Sequence, residues 1–187
     1  TRDLIPAASS CPCAFEYVHG DALEGRRLLN ELSLRNLRCV EESGCSLHPS
    51  LTVLTGRNAQ GKTAVLEGLY FLALGRSFRT RRLSQLVSQG APMAAVEGVT
   101  ADGVRLRAVV AGETRHLFLN GVECRWEDYL GSLRAVVYSS ELLPVVKGDL
   151  EAGRRFMDRG VALLDPSYVR TLSAALRAVR QRIDRSG

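Results

Sequence analysis

Long apolar runs are missing from this 187-residue chain. None approaches the roughly 20 residues that a bilayer-spanning helix requires, and no charged-then-apolar stretch opens it as a secretory signal would. We therefore expect a soluble, cytoplasmic protein with no membrane partner. Paired cysteines are lacking as well. The five present (Cys11, Cys13, Cys39, Cys45 and Cys124) are odd in number and show no C-x-x-C spacing, which argues against a disulfide scaffold or a zinc site and fits a reducing compartment. Cys11 and Cys13 flank a proline and read as free thiols in a loose segment rather than as a metal or redox pair. Neither an internal repeat nor a low-complexity tract occurs. With 45% hydrophobic residues the chain can bury the core of one sizeable domain, or of one domain and the start of another.

Charge leans to one sign. Lys and Arg number 25 against 20 Asp and Glu, a net +5, so a polyanion such as nucleic acid or nucleotide is favoured electrostatically. The basic residues are mostly arginines, grouped at 76–82, 154–159 and 170–185. Each group reads either as a set of phosphate contacts or as a solvated helix face.

Residues 1–30 show no sustained period and receive no assignment. From Glu31 the near-alternation of Leu32, Leu34 and Leu37 with polar residues predicts a strand with a slip near Asn36. Leu51-Thr-Val-Leu54 predicts a second, buried strand running into a glycine loop, after which Leu66, Leu69, Tyr70 and Ala73 recur at helical spacing. Past Gly75 a polar, basic stretch leads to a short helix at 83–88. Residues 94–100, 105–111 and 114–119 then read as an antiparallel meander, with Asn120-Gly121 as a hairpin turn, because Asn and Gly tolerate positive φ. Leu133–Tyr138 predicts another buried strand. Helices follow at 149–164 and 166–185, broken at Asp165-Pro166 with proline in the first turn of the second.

The chemistry sits at Gly56-Arg-Asn-Ala-Gln-Gly61-Lys62-Thr63, which fits G-x-x-x-x-G-K-[ST] at every fixed position in the order strand, glycine loop, helix. The two glycines permit the backbone to turn its N–H groups inward as an anion nest. Lys62 supplies a point charge to the β and γ phosphates, Thr63 a hydroxyl ligand for Mg²⁺, and the helix its N-terminal dipole. ATP and Mg²⁺ are the expected cofactors, held by Gly56, Arg57, Asn58, Ala59, Gln60, Gly61, Lys62 and Thr63. Hydrolysis further needs an acid to orient water. The one candidate, Asp165 in Val161-Ala-Leu-Leu-Asp165, follows a helical pattern and precedes proline, so it reads as a helix end or cap. No catalytic residue is assigned.

Leu34-Arg-Asn-Leu-Arg38, the P-loop, Leu66-Glu-Gly-Leu-Tyr-Phe-Leu-Ala73 and Gly75-Arg-Ser-Phe-Arg-Thr80 closely resemble the opening of the RecF family. Leu117-Phe-Leu-Asn-Gly121, Val136-Val-Tyr138, Val146-Lys-Gly148, Arg154-Arg-Phe-Met-Asp158 and Leu164-Asp-Pro-Ser-Tyr168 follow in the family's order, so that the resemblance covers about 31–183. It implies an α/β P-loop NTPase fold: an ABC-type ATPase head lobe, with a mixed sheet and antiparallel meander, at 31–148, followed by the start of a helical arm at 149–187. It further implies adenine or phosphate contacts from Asn36 and Arg38, a polar strand edge being the plainer reading of both. The implied function is ATP-dependent DNA replication, repair and recombination in the SOS response to DNA damage, at single-strand gaps and duplex junctions, with RecO and RecR and through an ATP-dependent homodimer. DNA contacts would be phosphate-directed, from Arg76, Arg79, Arg81 and Arg82 or from the arm. Where the family shows Ser-Pro-Glu-Asp-Leu, this chain has Ser139-Ser-Glu-Leu-Leu143, which weakens the case for nucleotide sensing by Glu141. The family's signature motif and Walker B acids are not among these residues, so the intact protein is expected to be a weak DNA-dependent ATPase and this chain to bind without hydrolysis. The competing readings are a small-molecule P-loop kinase or transferase, and a non-catalytic remnant of a truncated gene.

Overall fold

The computed structural model describes residues 14–18, 28–138, 150–165 and 167–184. The thiols Cys11 and Cys13, the Glu141 segment, Val146-Lys-Gly148 and Pro166 lie outside the described residues. Eight strands and four α-helices are described: β1 (Ala14–Val18), β2 (Leu29–Leu37), β3 (Val40–Ser46), β4 (Leu51–Thr55), α1 (Lys62–Leu74), β5 (Ala94–Thr100), β6 (Arg105–Ala111), β7 (Thr114–Leu119), β8 (Val122–Cys124), α2 (Trp126–Tyr129), α3 (Leu150–Leu164) and α4 (Ser167–Asp184), with a 3₁₀ turn at Leu83–Leu86. The chain divides into two compact units, Thr1–Cys124 with Leu133–Val137, and Arg125–Ser132 with Tyr138–Gly187.

In the first unit a six-stranded sheet runs in the order β3-β2-β5-β6-β7-β8, and β4 pairs with β1 in a separate two-stranded sheet. Every described pairing is antiparallel. Helix α1 lies on β2, β5 and β6, covering Leu32, Leu34, Val96, Leu106 and Ala108, all of them buried. The close approach is made at Gly68, where an added Cβ would fall 2.5 Å from Leu34 Cδ2 and 2.9 Å from Leu37 Cδ2. A helix face carrying Ala64, Val65, Gly68, Phe71 and Leu72 at i, i+3 and i+4 spacing is what this sheet buries.

The meander falls where the alternation predicts it, and the β7–β8 hairpin turns on Asn120 at φ 50° and Gly121 at φ 84°. The break in alternation near Asn36 is equally real: Asn36 and Arg38 take positive φ (52° and 58°), and burial passes from Leu34 to Leu37, while the pairing with β3 keeps one register from Glu31↔Ser46 to Leu37↔Val40. Val40–Ser46, to which the sequence pattern assigns no element, is a strand that its polar composition hides, because it forms the sheet edge and buries only Val40 and Ser43. Two expectations need correction. β4 is half-buried rather than buried, since among the described residues β1 alone pairs with it. Leu133–Tyr138 is not a strand: Leu133 is buried, but Val136 and Tyr138 stand almost fully exposed, and the run has no ladder partner among the described residues. An apolar run becomes a strand only where another strand accepts its backbone bonds.

In the second unit α3 and α4 are tied by the Tyr168 hydroxyl, which donates to Asp158 Oδ1 at 2.8 Å, while Arg170 pairs with Asp128 of α2 at 2.9 Å. Asp165 is the N-cap of α4. Its carbonyl accepts from the Tyr168 N–H at 3.1 Å and its Oδ1 from the Ser167 N–H at 2.9 Å. The Ser167 side chain first, then its backbone N–H, hold the Asp165 carboxyl below the usual aspartate range. A carboxyl depressed by folding stabilises the fold above its unfolded pKa, and that contribution is lost as the pH falls through the folded value. Asp165→Ala is therefore expected to lower the melting temperature at pH 7, with the gap from the unsubstituted chain closing as the pH drops below the ordinary aspartate range, as followed by circular dichroism.

Candidate nucleotide site

The P-loop motif adopts the arrangement its residue types require. β4 ends at Thr55, the loop turns through Gly56 (φ 140°), Ala59 (φ 66°) and Gly61 (φ 90°), and α1 begins at Lys62. Gly61 caps the helix in the left-handed region without any side-chain hydrogen bond, its carbonyl accepting from the Val65 N–H at 2.9 Å. No acid occupies the first turn of α1. Its leading N–H groups and positive dipole end are thus kept clear of carboxylates, as an anion site requires. Any side chain at Gly61 would be strained by φ and would also place a Cβ 2.9 Å from Val40 Cγ2 and 3.5 Å from Cys39 Sγ, so the β2–β3 turn packs directly under the loop.

Lys62 folds back over the loop, its Nζ donating to the carbonyls of Gly56 at 2.7 Å and Arg57 at 2.6 Å. Gln60 braces the crest, its Oε1 accepting from the Arg57 N–H at 2.7 Å. Gly56, Arg57, Asn58, Ala59 and Thr63 are exposed, and Gln60 and Lys62 half-buried. The loop, the ammonium group and the Thr63 hydroxyl therefore gather at one helix end. Among the described residues there is no group of three or more His, Cys, Asp or Glu that could hold a metal, and no helix long and apolar enough to cross a membrane.

Asn36 and Arg38, at the end of β2, are both half-buried. The Asn36 carbonyl accepts from the Ser88 N–H at 2.8 Å. Arg38 is heavily engaged: Nε and NH2 donate to the two carboxylate oxygens of Glu67 at 2.9 and 2.8 Å, and NH1 to the Gln85 carbonyl at 2.7 Å. Glu67, on α1, is fully buried, and it also accepts from the Ser77 hydroxyl and faces Arg79 NH1 at 3.6 Å. In the sequence Glu67 stands only within the Leu66-Glu-Gly-Leu-Tyr-Phe-Leu-Ala73 resemblance, with no role marked for it. Its signal is that a lone carboxylate on the apolar face of a helix must find cationic partners, but Lys62 and Arg57 are nearer in sequence than Arg38, so the pairing is legible only in the fold.

The basic segment leaves α1 at Gly75, whose N–H bonds the Phe71 carbonyl at 2.7 Å and whose own carbonyl accepts from Arg115 NH1 at 2.9 Å. Ser77 Oγ accepts from the N–H groups of Arg79 and Thr80 (2.9 and 3.1 Å), closing the turn. At the other end Glu113 receives the Leu83 and Ser84 N–H groups at 2.9 and 3.3 Å, together with the Ser84 hydroxyl. That hydroxyl is the main reason the Glu113 carboxyl lies below the usual range, burial opposing it and the two backbone bonds adding to it. Arg76, Arg79, Arg81 and Arg82 are all exposed.

Over 158 residues, 82% of this chain, the sequence is 36% identical to the DNA replication and repair protein RecF of Halalkalibacterium halodurans. The chain belongs to the RecF family, as its amino-terminal portion. RecF of Staphylococcus carnosus is 34% identical over the same length. Each match spans 43% of the relative, so the chain spans less than half the length of the curated RecF proteins it matches. No protein-family model matches it. Among solved structures, the recombination mediator RecF in its ATPrS form superposes with a TM-score of 0.74 at 22% identity, over 84% of this chain and 44% of that one. RecF with ATP gives 0.73 at 23% identity, over 84% and 45%. An SMC ATPase chain gives 0.56 at 19% identity, over 71% of this chain and 98% of that one. The fold is accordingly the ABC-type P-loop ATPase lobe that RecF and SMC ATPases share, as the resemblance implies.

Proposed function

We propose that this chain is the nucleotide-binding part of a RecF-type DNA replication and repair protein. Residues 31–148 form the ATP-binding lobe, and 149–187 begin a helical arm. One observation carries the reading: an uncapped, acid-free helix N-terminus beneath a glycine loop, with the Lys62 ammonium held above it by the carbonyls of Gly56 and Arg57. Phosphates entering this loop replace those two carbonyls as acceptors for Lys62 and take up the free N–H groups of α1. Thr63, exposed in the first turn, supplies the hydroxyl for Mg²⁺. The chemistry the metal brings is neutralisation of β and γ phosphate charge.

RecF structures with ATP and its analogue, named within the RecFOR pathway, support the same ligand and the same partners, RecO, RecR and DNA, for the intact protein. The exposed arginines at 76, 79, 81 and 82 are suited to phosphate contacts that position DNA without reading its bases. ATP-dependent dimerisation and slow hydrolysis belong to this proposal for the full-length protein, in the cytoplasm.

A titration with fluorescent Mg²⁺-ATP and Mg²⁺-ADP, with turnover followed in the same samples, tests the reading. Lys62→Ala removes a charge-assisted contact and is expected to weaken binding roughly tenfold to a hundredfold. No turnover is expected from this chain alone. Binding indifferent to Lys62, or brisk turnover, would sink the proposal, the latter in favour of a P-loop transferase.

A further inference from the structure

The Glu67 carboxylate joins two parts of the molecule that the proposed function treats separately. On one side it holds Arg38 by a two-pronged bond, 2.9 Å from Nε and 2.8 Å from NH2. Arg38 has φ 58°, an unfavourable backbone for a residue with a Cβ, and it is pinned there at both ends: its N–H donates to the Leu86 carbonyl at 2.8 Å and its carbonyl accepts from Ser88 Oγ at 2.7 Å. The next two residues, Cys39 and Val40, are those that meet Gly61 under the P-loop. On the other side the same carboxylate accepts the Ser77 proton, and Ser77 organises the turn of the basic segment. Two arginines face this one acid, and they are held unequally. Arg38 is bound bidentately with a side chain only 23% exposed, whereas Arg79 stands at 3.6 Å and 42% exposed. Arg79 is the member of the cluster whose guanidinium reaches solvent.

We propose that Glu67 is a positioning residue that couples the nucleotide loop to the basic segment 76–82, through Arg38 and the turn beneath Gly61 on one side and through Ser77 and Arg79 on the other. The inference rests on the nucleotide reading given above. Phosphate in the loop fixes Gly61 and the first turn of α1. Glu67 lies one turn further along the same rigid helix, so the arrangement that phosphate selects is passed to the segment bearing the arginines. By reciprocity, a polyanion that engages Arg79 alters nucleotide affinity by the same factor.

The test uses the 187-residue chain with and without Mg²⁺-ATP, reading nucleotide affinity by fluorescence and tryptic cleavage within 76–82 by mass spectrometry. In the unsubstituted chain, nucleotide is expected to slow that cleavage. Glu67→Gln, which keeps an acceptor oxygen but not the charge, is expected to weaken nucleotide binding about tenfold and to abolish the effect of nucleotide on cleavage. Should that variant not fold, Ser77→Ala carries the test alone: it leaves Arg38 and the loop untouched, so affinity should stay within about twofold while the nucleotide effect on cleavage disappears. A purely structural role for the cluster would alter melting temperature in both variants and leave the nucleotide effect intact, which overturns the proposal. Lys62-dependent binding with a normal response in either folded variant refutes the coupling alone. Absence of nucleotide binding in the unsubstituted chain refutes the nucleotide reading and the coupling with it.

Discussion

Glu67→Ala is expected to destabilise the first compact unit by about 3 kcal/mol in urea unfolding, near the lower end of the range for breaking a buried ion pair. The carboxylate is fully buried, and its removal strands the Arg38 guanidinium, whose side chain is 23% exposed, with only the Gln85 carbonyl as a remaining partner in this cluster. The partial exposure of Arg38 keeps the figure at the low end, since water reaches the orphaned charge. The Ser77 hydroxyl loses its acceptor as well. Removing both charges together should cost much less: the double variant Glu67→Leu with Arg38→Met ought to recover part of the loss, because it takes away both members of the buried pair at once. A single substitution costing under about 1 kcal/mol would mean that water, rather than Arg38, satisfies the acid.

Phe71→Ala should be at least as damaging, at about 3–5 kcal/mol. Phe71 is fully buried one turn beyond Gly68, on the face of α1 that rests on the sheet. Truncation removes the ring's transfer free energy and leaves a cavity in a core backed by a sheet whose strand ladders cannot collapse inward. The urea midpoint is expected to fall with an unchanged m-value, which marks a loss of stability rather than a change in the unfolded ensemble. A loss below about 1.5 kcal/mol would show that α1 can shift to refill the space.

How much of this was legible beforehand depended on the range of the forces involved. The P-loop and α1 were readable because glycine spacing, Lys62, Thr63 and the apolar period all lie within one short stretch. The bounds of β5, β6 and β7 came from alternation and local turn chemistry, and they match the structure. Asp165 was readable as a cap because its partners, Ser167 and Tyr168, are neighbours in sequence. Features that depend on distant partners were opaque. β3, with the sequence Val-Glu-Glu-Ser-Gly-Cys-Ser, is a strand only because β2 offers it an edge. Leu-Arg-Ala-Val-Val-Tyr at 133–138 has the composition of a strand and lacks the partner. Asn36 and Arg38 read as nucleotide contacts or as a polar strand edge, whereas the geometry engages Arg38 with an acid 29 residues away.

The strand order of the larger sheet bears on how the chain folds. β2–β3 is a hairpin, β5 to β8 is a run of neighbours, and among the described residues the only distant pairing in the sheet is β2 with β5. Local hairpins form in microseconds, whereas a distant ladder first requires the intervening chain to surrender its loop entropy. That intervening chain holds β4, the phosphate loop and α1, so the slow zippering of β2 onto β5 is also the event that closes the nucleotide-binding stretch into place. Ligand-competent geometry should thus be acquired late and all at once, and the rate of its appearance should follow the topology of one strand pair rather than the strength of the loop itself.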